Sequence, residues 1–343
     1  RDIAVQPHDV TPAASRHSTK PVKTLLLKLT VSVALVTTLV ARADLADLGR
    51  RLASAGVLTL MIGSLCIFAL SVTIAARWKT VLVEFRYPLS FSDVWRYTVI
   101  GMFFNQLLPS GMGGDGLRMW YARRAGVPLG TAIGTVVVDR VLGLLGLLLL
   151  VILGLPYLFS LHVTGVLATV ISISSILVAL GVAVFLSADH MMASIATLLK
   201  GRVRTAFLRR PFLIRVKGGL KQTAKDTRRL LQSLPYGPAT VLLSLVNQIS
   251  LGLVVLYLAR SMSLNLSLAA AVFLFPPVLL LSMIPISLAG WGIREGAMVV
   301  VFSLAGLEAD ASLSLSVLFG ACMFVSGLPG GFVWLLTRRE GTT

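Results

Sequence analysis

The sequence predicts an all-α polytopic membrane protein, and three observations support this fold class. Of the 343 residues, 56% are hydrophobic and only 13% are charged, and the mean hydropathy is +0.88. A soluble domain of this size needs more polar surface. The apolar segments are long and uniform, whereas the strands of a membrane barrel would alternate between polar and apolar residues. The formal net charge of +17 fits basic cytoplasmic loops, which set orientation and attract anionic lipids.

About six segments are long enough to cross a hydrocarbon core of about 30 Å as helices. In chain order these predicted spans cover residues 22–41, 56–76, 127–155, 163–186, 238–259 and 312–336. Residues 1–21 have no apolar periodicity, which predicts a disordered cytoplasmic tail. We expect a multi-pass protein of the bacterial inner membrane. Because Lys and Arg concentrate in alternate loops, both of its termini should lie in the cytoplasm.

Two shorter apolar segments run into glycine-rich stretches that share one pattern. Pro109–Arg118 and Pro285–Arg294 both read P-x-x-x-x-G-x-G-[LI]-R. A break of Pro and Gly at membrane depth must line protein or water, which predicts re-entrant helical hairpins over residues 94–126 and 276–307. Counting the crossings between them gives the two hairpins opposite polarity. The sequence therefore predicts an inverted repeat, with one half over residues 22–187 and the other over 238–343.

Residues 188–237 separate these halves and are strongly basic, with eleven Lys or Arg residues from Lys200 to Arg229. Apolar residues recur at helical spacing on both sides of Pro211, which predicts two amphipathic cytoplasmic helices. Two interpretations stay open for them. Either residues 200–229 bind the anionic lipids of the inner leaflet, or the helices pack against the protein.

The two motifs combine features that suit phosphate. Glycine lets a ligand approach the backbone, and the N-terminus of the following half-helix favours an anion. Arg118 and Arg294 each follow the glycines by two residues and offer a planar fork for phosphate oxygens. We therefore predict a lipid-headgroup site between the motifs. Its candidate residues are Asn105, Ser110, Gly113, Gly114, Asp115, Arg118, Asp139, Arg140, Ser287, Gly290, Gly292, Arg294 and Glu295.

Asp139 and Arg140 interrupt a predicted span near its middle, where each charge costs about 2.5–3.5 kcal/mol. Adjacent residues of a helix point about 100° apart, so we expect different partners for the two side chains, with Arg118 or Arg294 opposite Asp139. The pair either lines a polar path or forms a structural ion pair. Acids beside the motif arginines likewise either receive a headgroup amine or form internal salt bridges, and the glycines either bind ligand or allow close helix packing.

These residues resemble the lysylphosphatidylglycerol synthase transmembrane family, in its stand-alone, flippase-like form. The resemblance rests on Phe104–Asp115, the Asp139-Arg140 pair and Pro285–Glu295, and it covers nearly the whole chain from about residue 22. In that family the membrane domain moves aminoacylated phospholipid between leaflets, so the resemblance implies a translocase, here for a phospholipid or polyprenyl-phosphate lipid. We expect it to work without ATP, since no P-loop is present. The sequence contains no soluble aminoacyl-transferase domain, so we do not expect it to synthesise the lipid.

Two other functions are compatible with the sequence. One is an integral-membrane glycosyl- or acyl-transferase that acts on a lipid-linked substrate, with Asp115, Asp139 or Glu295 as its base. The other is a scaffold whose basic loop recruits a partner. We predict no metal and no cofactor, because His and Cys lack ligand spacing, and no nucleic-acid partner, because its motifs are missing from the sequence. The oligomeric state is left open.

Overall fold

A computed structural model describes residues 44–108, 113–161, 211–283 and 292–340, with a few isolated positions between residues 30 and 38 and between 176 and 183. These residues form nine α-helices and no strand, which confirms the all-α fold class for the described part of the chain. The helices are α1 (Leu45–Glu84), α2 (Phe91–Leu107), α3 (Gly113–Arg124), α4 (Leu129–Ser160), α5 (Pro211–Gln232), α6 (Tyr236–Ser261), α7 (Leu268–Ser282), α8 (Ile293–Phe302) and α9 (Ala309–Glu340).

Four of the described helices are long and apolar enough to cross a membrane, so the protein is membrane-embedded. They are α1, α4, α6 and the part of α9 up to Thr337, with mean hydropathies of 2.4, 2.6, 2.1 and 1.8 over their most apolar stretches. The tail predicted over residues 1–21 and the spans predicted over 22–41 and 163–186 lie outside the described ranges. The complete span count therefore stays a prediction.

Helix α1 extends beyond the span predicted at residues 56–76. It kinks at Gly56, whose φ of +72° is non-helical, and then continues to Glu84. The helix continues past Ala76, the predicted end of the span, because its buried face continues through Trp78, Val81 and Leu82, all 0% exposed. Arg77, the first basic residue after Ala76, therefore belongs to a packed helix.

Helices α2 and α3 form an antiparallel hairpin. The backbone N–H of Gly114 donates to Asn105 Oδ1 at 2.9 Å, and farther from the turn Tyr121 stacks on Tyr97 with ring centroids 4.9 Å apart. Residues farther along α3 thus contact residues nearer the start of α2, so the two helices run in opposite directions. Helices α7 and α8 also pack against each other. This pairing agrees with the two predicted hairpins, whereas their re-entrant placement in a membrane stays a prediction.

The turns before the two hairpins share local structure. Arg86, after α1, has a φ of 65° and Ser263, after α6, has a φ of 57°; they are the only non-glycine residues of positive φ in the described ranges. Ser90 and Ser267 then cap α2 and α7, each accepting a hydrogen bond at 3.1 Å from a backbone N–H three residues ahead. The turn and serine cap between α1 and α2 thus recur between α6 and α7.

The two hairpins can also be aligned by counting back from the turns that end them. This alignment differs from the motif alignment. Gly126 and Gly306 have φ of +93° and +80° and close the turns that follow α3 and α8. Counted back from these glycines, Asp115 corresponds to Glu295, and each of these acids lies in the first turn of its helix. Counted from these turn glycines the two acids correspond, whereas the motif alignment pairs the two arginines, and the inverted repeat itself stays a prediction.

One face of the described part of α5 packs against the protein, whereas Gln222, Lys225 and Arg229 are exposed. Ala224, Thr227 and Leu230 are 0% exposed, and Arg229 Nε lies 3.3 Å from Glu84 Oε1 at the end of α1. Of the two interpretations of the basic segment, packing on the protein holds for this part of α5. The amphipathic helix predicted before Pro211 lies outside the described residues.

We expect Ser267→Ala to lower the free energy of unfolding by about 1 kcal/mol, because the N–H of Ala270 loses its capping acceptor. Titration of the detergent-solubilised protein with SDS, followed by circular dichroism, measures this change. The control is Ser303→Ala, since the exposed Ser303 hydroxyl only donates to the Val300 carbonyl at 2.8 Å. Equal unfolding midpoints for the two variants would contradict the capping role.

Candidate functional site

Asp139, on α4, lies at the centre of a buried ion-pair network. Its Oδ1 accepts a hydrogen bond from Arg77 Nε at 2.7 Å, and its Oδ2 accepts one from Arg118 Nη2 at 2.9 Å. Only 1% of the Asp139 side chain is exposed. A charge this buried requires close partners, because its desolvation costs several kcal/mol. The carboxylate therefore joins α1 and α3 to α4.

Asp115 extends the network from the first turn of α3. Its Oδ2 accepts a hydrogen bond from Arg140 Nε at 2.7 Å, and its Oδ1 faces Arg118 Nη1 at 3.5 Å. Arg118 thus lies between the two aspartates, and Asp139 and Arg140 have different partners, as their adjacent positions on a helix predict. All four carboxylate oxygens of Asp115 and Asp139 have a guanidinium partner.

Neighbouring residues hold the arginines in place. Arg77 Nη1 donates to Ser244 Oγ on α6 at 3.1 Å. The Arg118 guanidinium carbon lies 4.2 Å from the centroid of the Trp78 ring, a cation–π contact that compensates in part for lost solvent. Arg118 Nε is buried and has no hydrogen-bond partner among the described residues. Arg140 differs from the other two arginines because 47% of its side chain is exposed.

The glycines of the first motif allow α2 and α3 to meet. A Cβ on Gly114 would overlap the carbonyl of Gly101, and a Cβ on Gly113 would overlap the side chain of Leu108. The N–H of Gly114 is also occupied, since it donates to Asn105 Oδ1. Close packing, one of the two interpretations of these glycines, therefore describes Gly113 and Gly114.

The network opens on a cavity of about 320 Å³. The charged residues that line it are Arg77, Arg118, Asp139 and Arg140. Four carboxamide side chains extend this polar wall, namely Asn105, Gln106, Asn247 and Gln248. Much of the remaining wall is apolar and includes Ile67, Leu70, Ile74, Leu144, Leu147 and Leu251. An amphiphile with an anionic head matches both walls of such a cavity.

Two further carboxamides make hydrogen bonds between helices, as Asn105 does between α2 and α3. Gln106 Nε2 donates to the Met323 carbonyl on α9 at 3.2 Å, and Thr73 Oγ1 donates to Asn247 Oδ1 at 3.2 Å. Gln248 differs, because its Oε1 is buried and has no donor among the described residues. A buried acceptor without a donor costs about 1–3 kcal/mol, so this position favours a ligand that can donate a hydrogen bond.

The second motif forms a separate arrangement at the start of α8. Glu295 accepts a hydrogen bond from Arg294, and its Oε2 accepts another from the N–H of Gly292 at 2.6 Å. Arg294 packs on Gly320 of α9, the residue that corresponds to Arg140 when both halves are counted from their turn glycines. The nearest arginine to the acid thus comes from α4 in the first half and from α8 itself in the second.

The structure brings together only part of the predicted site. Asn105, Arg118, Asp139 and Arg140 line the cavity, with Gly113, Gly114 and Asp115 directly behind them, whereas Arg294 and Glu295 are not among its described lining residues. Arg118 is the sixth residue of α3 and Arg294 the second of α8, so the two arginines are not equivalent. Ser110, Ser287 and Gly290 lie outside the described residues.

Arg77 is absent from the predicted site because it directly follows the span predicted over residues 56–76. A signal was nevertheless present, since Arg77 continues a helical stripe formed by Leu70, Ile74 and Val81. Ser244 was also missed, because a lone serine in a transmembrane helix gives no pattern of its own.

This fold and this cavity define a helical membrane protein with a buried arginine–aspartate site. The chain belongs to the family described as the lysylphosphatidylglycerol synthase TM region, whose family model matches residues 25–331. This confirms the resemblance drawn from the two motifs and the Asp139-Arg140 pair. The chain is also 36% identical over 74 residues to a UPF0104 membrane protein of Methanocaldococcus jannaschii, a match that covers 21% of this chain and 22% of that protein.

Proposed function

We propose that this protein is a lipid translocase that holds a phospholipid or polyprenyl-phosphate headgroup in the cavity while the lipid tails remain in the bilayer. The observation that carries the proposal is the half-exposed Arg140, which is anchored to Asp115 through Nε and lies on the polar wall of a cavity whose other wall is largely apolar. A guanidinium held in this way presents its remaining N–H groups to phosphate oxygens as a preorganised fork. Family membership supports a lipid-related role.

Movement of the lipid follows alternating exposure of the site to the two leaflets, without ATP. The α2–α3 hairpin is suited to this role because it carries Arg118 and Asn105 and contacts the rest of the protein through α1, α4 and α9. In this proposal both hairpins enter the membrane as an inverted repeat. The protein lies in a bacterial inner membrane with both termini in the cytoplasm, where the basic segment 200–229 meets anionic lipids.

Arg140→Gln tests the proposal in reconstituted vesicles that contain a headgroup-labelled phospholipid. We expect its rate of lipid movement to fall at least tenfold, which corresponds to about 1.4 kcal/mol, because phosphate loses a charge-assisted contact. The control is Arg123→Gln, which removes an exposed arginine at the end of α3 that does not line the cavity. Protein-containing vesicles that move lipid no faster than protein-free vesicles would refute the translocase function.

A transferase acting on a lipid-linked substrate is the alternative, and it requires a carboxylate free to act as a base. Asp115 and Asp139 have a guanidinium on each oxygen, and Glu295 accepts hydrogen bonds on both of its oxygens. These contacts favour the translocase. Formation of a product from a lipid-linked donor by the purified protein would reverse this ranking.

A further inference from the structure

We infer that a second cavity of this protein binds a small zwitterion, namely a phosphate ester that also carries a primary amine. This cavity is separate from the arginine–aspartate cavity, because the two have no described lining residue in common. Binding there does not depend on the proposed lipid movement. Three features of the cavity point to such a ligand: a polar wall, two charges on that wall that are not paired, and a helix start that opens on it.

The second cavity lies where the end of α1, the start of α4 and the described part of α5 meet. Its volume is about 540 Å³, larger than the 320 Å³ of the arginine–aspartate cavity. The three elements converge at Gly134 of α4, where an added Cβ would lie 3.5 Å from both Phe85 Cε1 and Thr223 Oγ1. In the predicted orientation, α1 ends and α4 begins on the cytoplasmic side, so this cavity faces the cytoplasm.

The wall of the second cavity is mostly polar. Seven of its eleven described lining residues have polar or charged side chains, and none of the eleven is Leu, Ile, Val or Met. The arginine–aspartate cavity differs, since aliphatic side chains form much of its wall. A lipid tail needs apolar surface around it, whereas a charged group needs polar partners. The second cavity therefore suits a small polar group.

Four charged side chains line this cavity, and two of them pair with each other. Arg229 Nε lies 3.3 Å from Glu84 Oε1. Arg86 has no ion-pair partner among the described residues, and Asp226 accepts only a hydrogen bond at 2.9 Å from the Gln222 amide there. One positive and one negative charge thus remain on the same wall. A ligand with both charges complements them, whereas a simple anion or cation matches only one.

The start of α4 favours the anionic end of the ligand. Its N-cap residue Pro128 supplies no side-chain hydrogen bond, so the first N–H groups of α4, including those of Gly130 and Thr131, have no side-chain acceptor. The Thr131 side chain and Arg86 line the same cavity, and Arg86 lies in a turn that its own N–H fixes by donating to the Val83 carbonyl at 2.9 Å. Donors from two elements suit the three oxygens of a phosphate.

Asp226 provides the place for the amine. It belongs to α5, whereas Arg86 and Thr131 belong to the other two elements, so the two ends of the ligand contact different parts of the wall. An ammonium group donates up to three hydrogen bonds, and Asp226 Oδ2 is free to accept one, since Gln222 uses Oδ1. Phosphoethanolamine has this chemistry, either as a free solute or as the headgroup of phosphatidylethanolamine.

Three soluble probes separate the two charges. Phosphoethanolamine carries both, ethyl phosphate carries only the anion, and ethanolamine carries only the ammonium. Binding to the full chain in phosphatidylcholine nanodiscs is measured by titration with ligand-observed proton NMR. We expect phosphoethanolamine to bind about fivefold more tightly than either of the other probes, which corresponds to about 1 kcal/mol for one additional exposed ion pair.

Arg86→Gln and Asp226→Asn remove the two ends of the site one at a time. We expect each variant to bind phosphoethanolamine about fivefold more weakly than the wild type. Arg86→Gln should bind ethanolamine normally and Asp226→Asn should bind ethyl phosphate normally, which also shows that both variants are folded. The control is Arg123→Gln, which removes an exposed arginine outside this cavity and should keep all three affinities.

Nanodiscs that contain phosphatidylethanolamine identify the source of the ligand. Weaker binding of phosphoethanolamine in these nanodiscs means that the lipid headgroup occupies the site, and unchanged binding means that the ligand is the free solute; both results support a zwitterion site. Phosphoethanolamine that binds no more tightly than the other two probes overturns the inference, as does equal binding by Arg86→Gln, Asp226→Asn and Arg123→Gln. Lipid movement is not measured here, so these results leave the translocase proposal to its own test.

Discussion

Asp139→Asn is expected to lower the free energy of unfolding by about 3–5 kcal/mol, because it leaves two buried arginines facing a neutral amide. Arg77 and Arg118 have side-chain exposures of 8% and 5%, so water would solvate them poorly in place of the lost carboxylate. Proteins of ordinary stability have about 5–15 kcal/mol in total. The variant should therefore be recovered from membranes in much lower yield and unfold at a lower SDS concentration.

Two further variants make this result specific to the network. Asp226→Asn removes a carboxylate from α5, where the new amide can still bond to Gln222, and it should unfold like the wild type. Adding Arg77→Leu to Asp139→Asn removes one of the two uncompensated charges and should restore part of the stability. An SDS midpoint for Asp139→Asn equal to that of the wild type would show that the buried network does not stabilise the fold.

Gly114→Ala is expected to have the second largest effect. The added Cβ would overlap the carbonyl of Gly101, which belongs to the backbone of α2 and cannot rotate away. The hairpin must then separate, which costs about 1–3 kcal/mol or more and displaces Arg118 from Asp139. We therefore expect a loss of lipid movement together with a loss of stability, measured in vesicles and by SDS titration.

Gly116→Ala is the matched control in the same helix. Nothing lies within 4 Å of a Cβ built at Gly116, and Ala is the better helix former by about 1 kcal/mol. This variant should therefore be as stable as the wild type or more stable, and should move lipid normally. Similar losses in Gly114→Ala and Gly116→Ala would mean that α3 requires glycine for its flexibility and not for its contact with α2.

Local patterns in the sequence were sufficient for the helical class, the family and most residues of the buried arginine–aspartate network. Charge in an apolar span has few explanations, so Asp139 and Arg140 could be recognised from the sequence, and Arg118 was one of two named partners for Asp139. The Pro and Gly residues that interrupt the apolar segment likewise predicted the turn between α2 and α3. Each of these inferences depends on neighbouring residues and on the chemistry of a membrane interior.

Two features could not be derived in this way because they depend on where helices begin and end. Arg77 lies where a helix could either stop or continue, and only packing against α4 and α6 decides that it continues. The match of Arg118 with Arg294 relied on four shared letters, whereas the structural register depends on the turns at Gly126 and Gly306. Contacts between helices that are far apart in the sequence leave no pattern among the neighbouring residues of either helix.

Transmembrane voltage acts on any net charge that moves within a membrane, by about 2.3 kcal/mol per elementary charge for each 100 mV. The network of three arginines and two aspartates carries one positive charge when the cavity is empty. With a singly charged phosphodiester in place, the site is electrically neutral. The loaded protein would therefore reorient without regard to the membrane potential, and the voltage would act on the return of the empty protein.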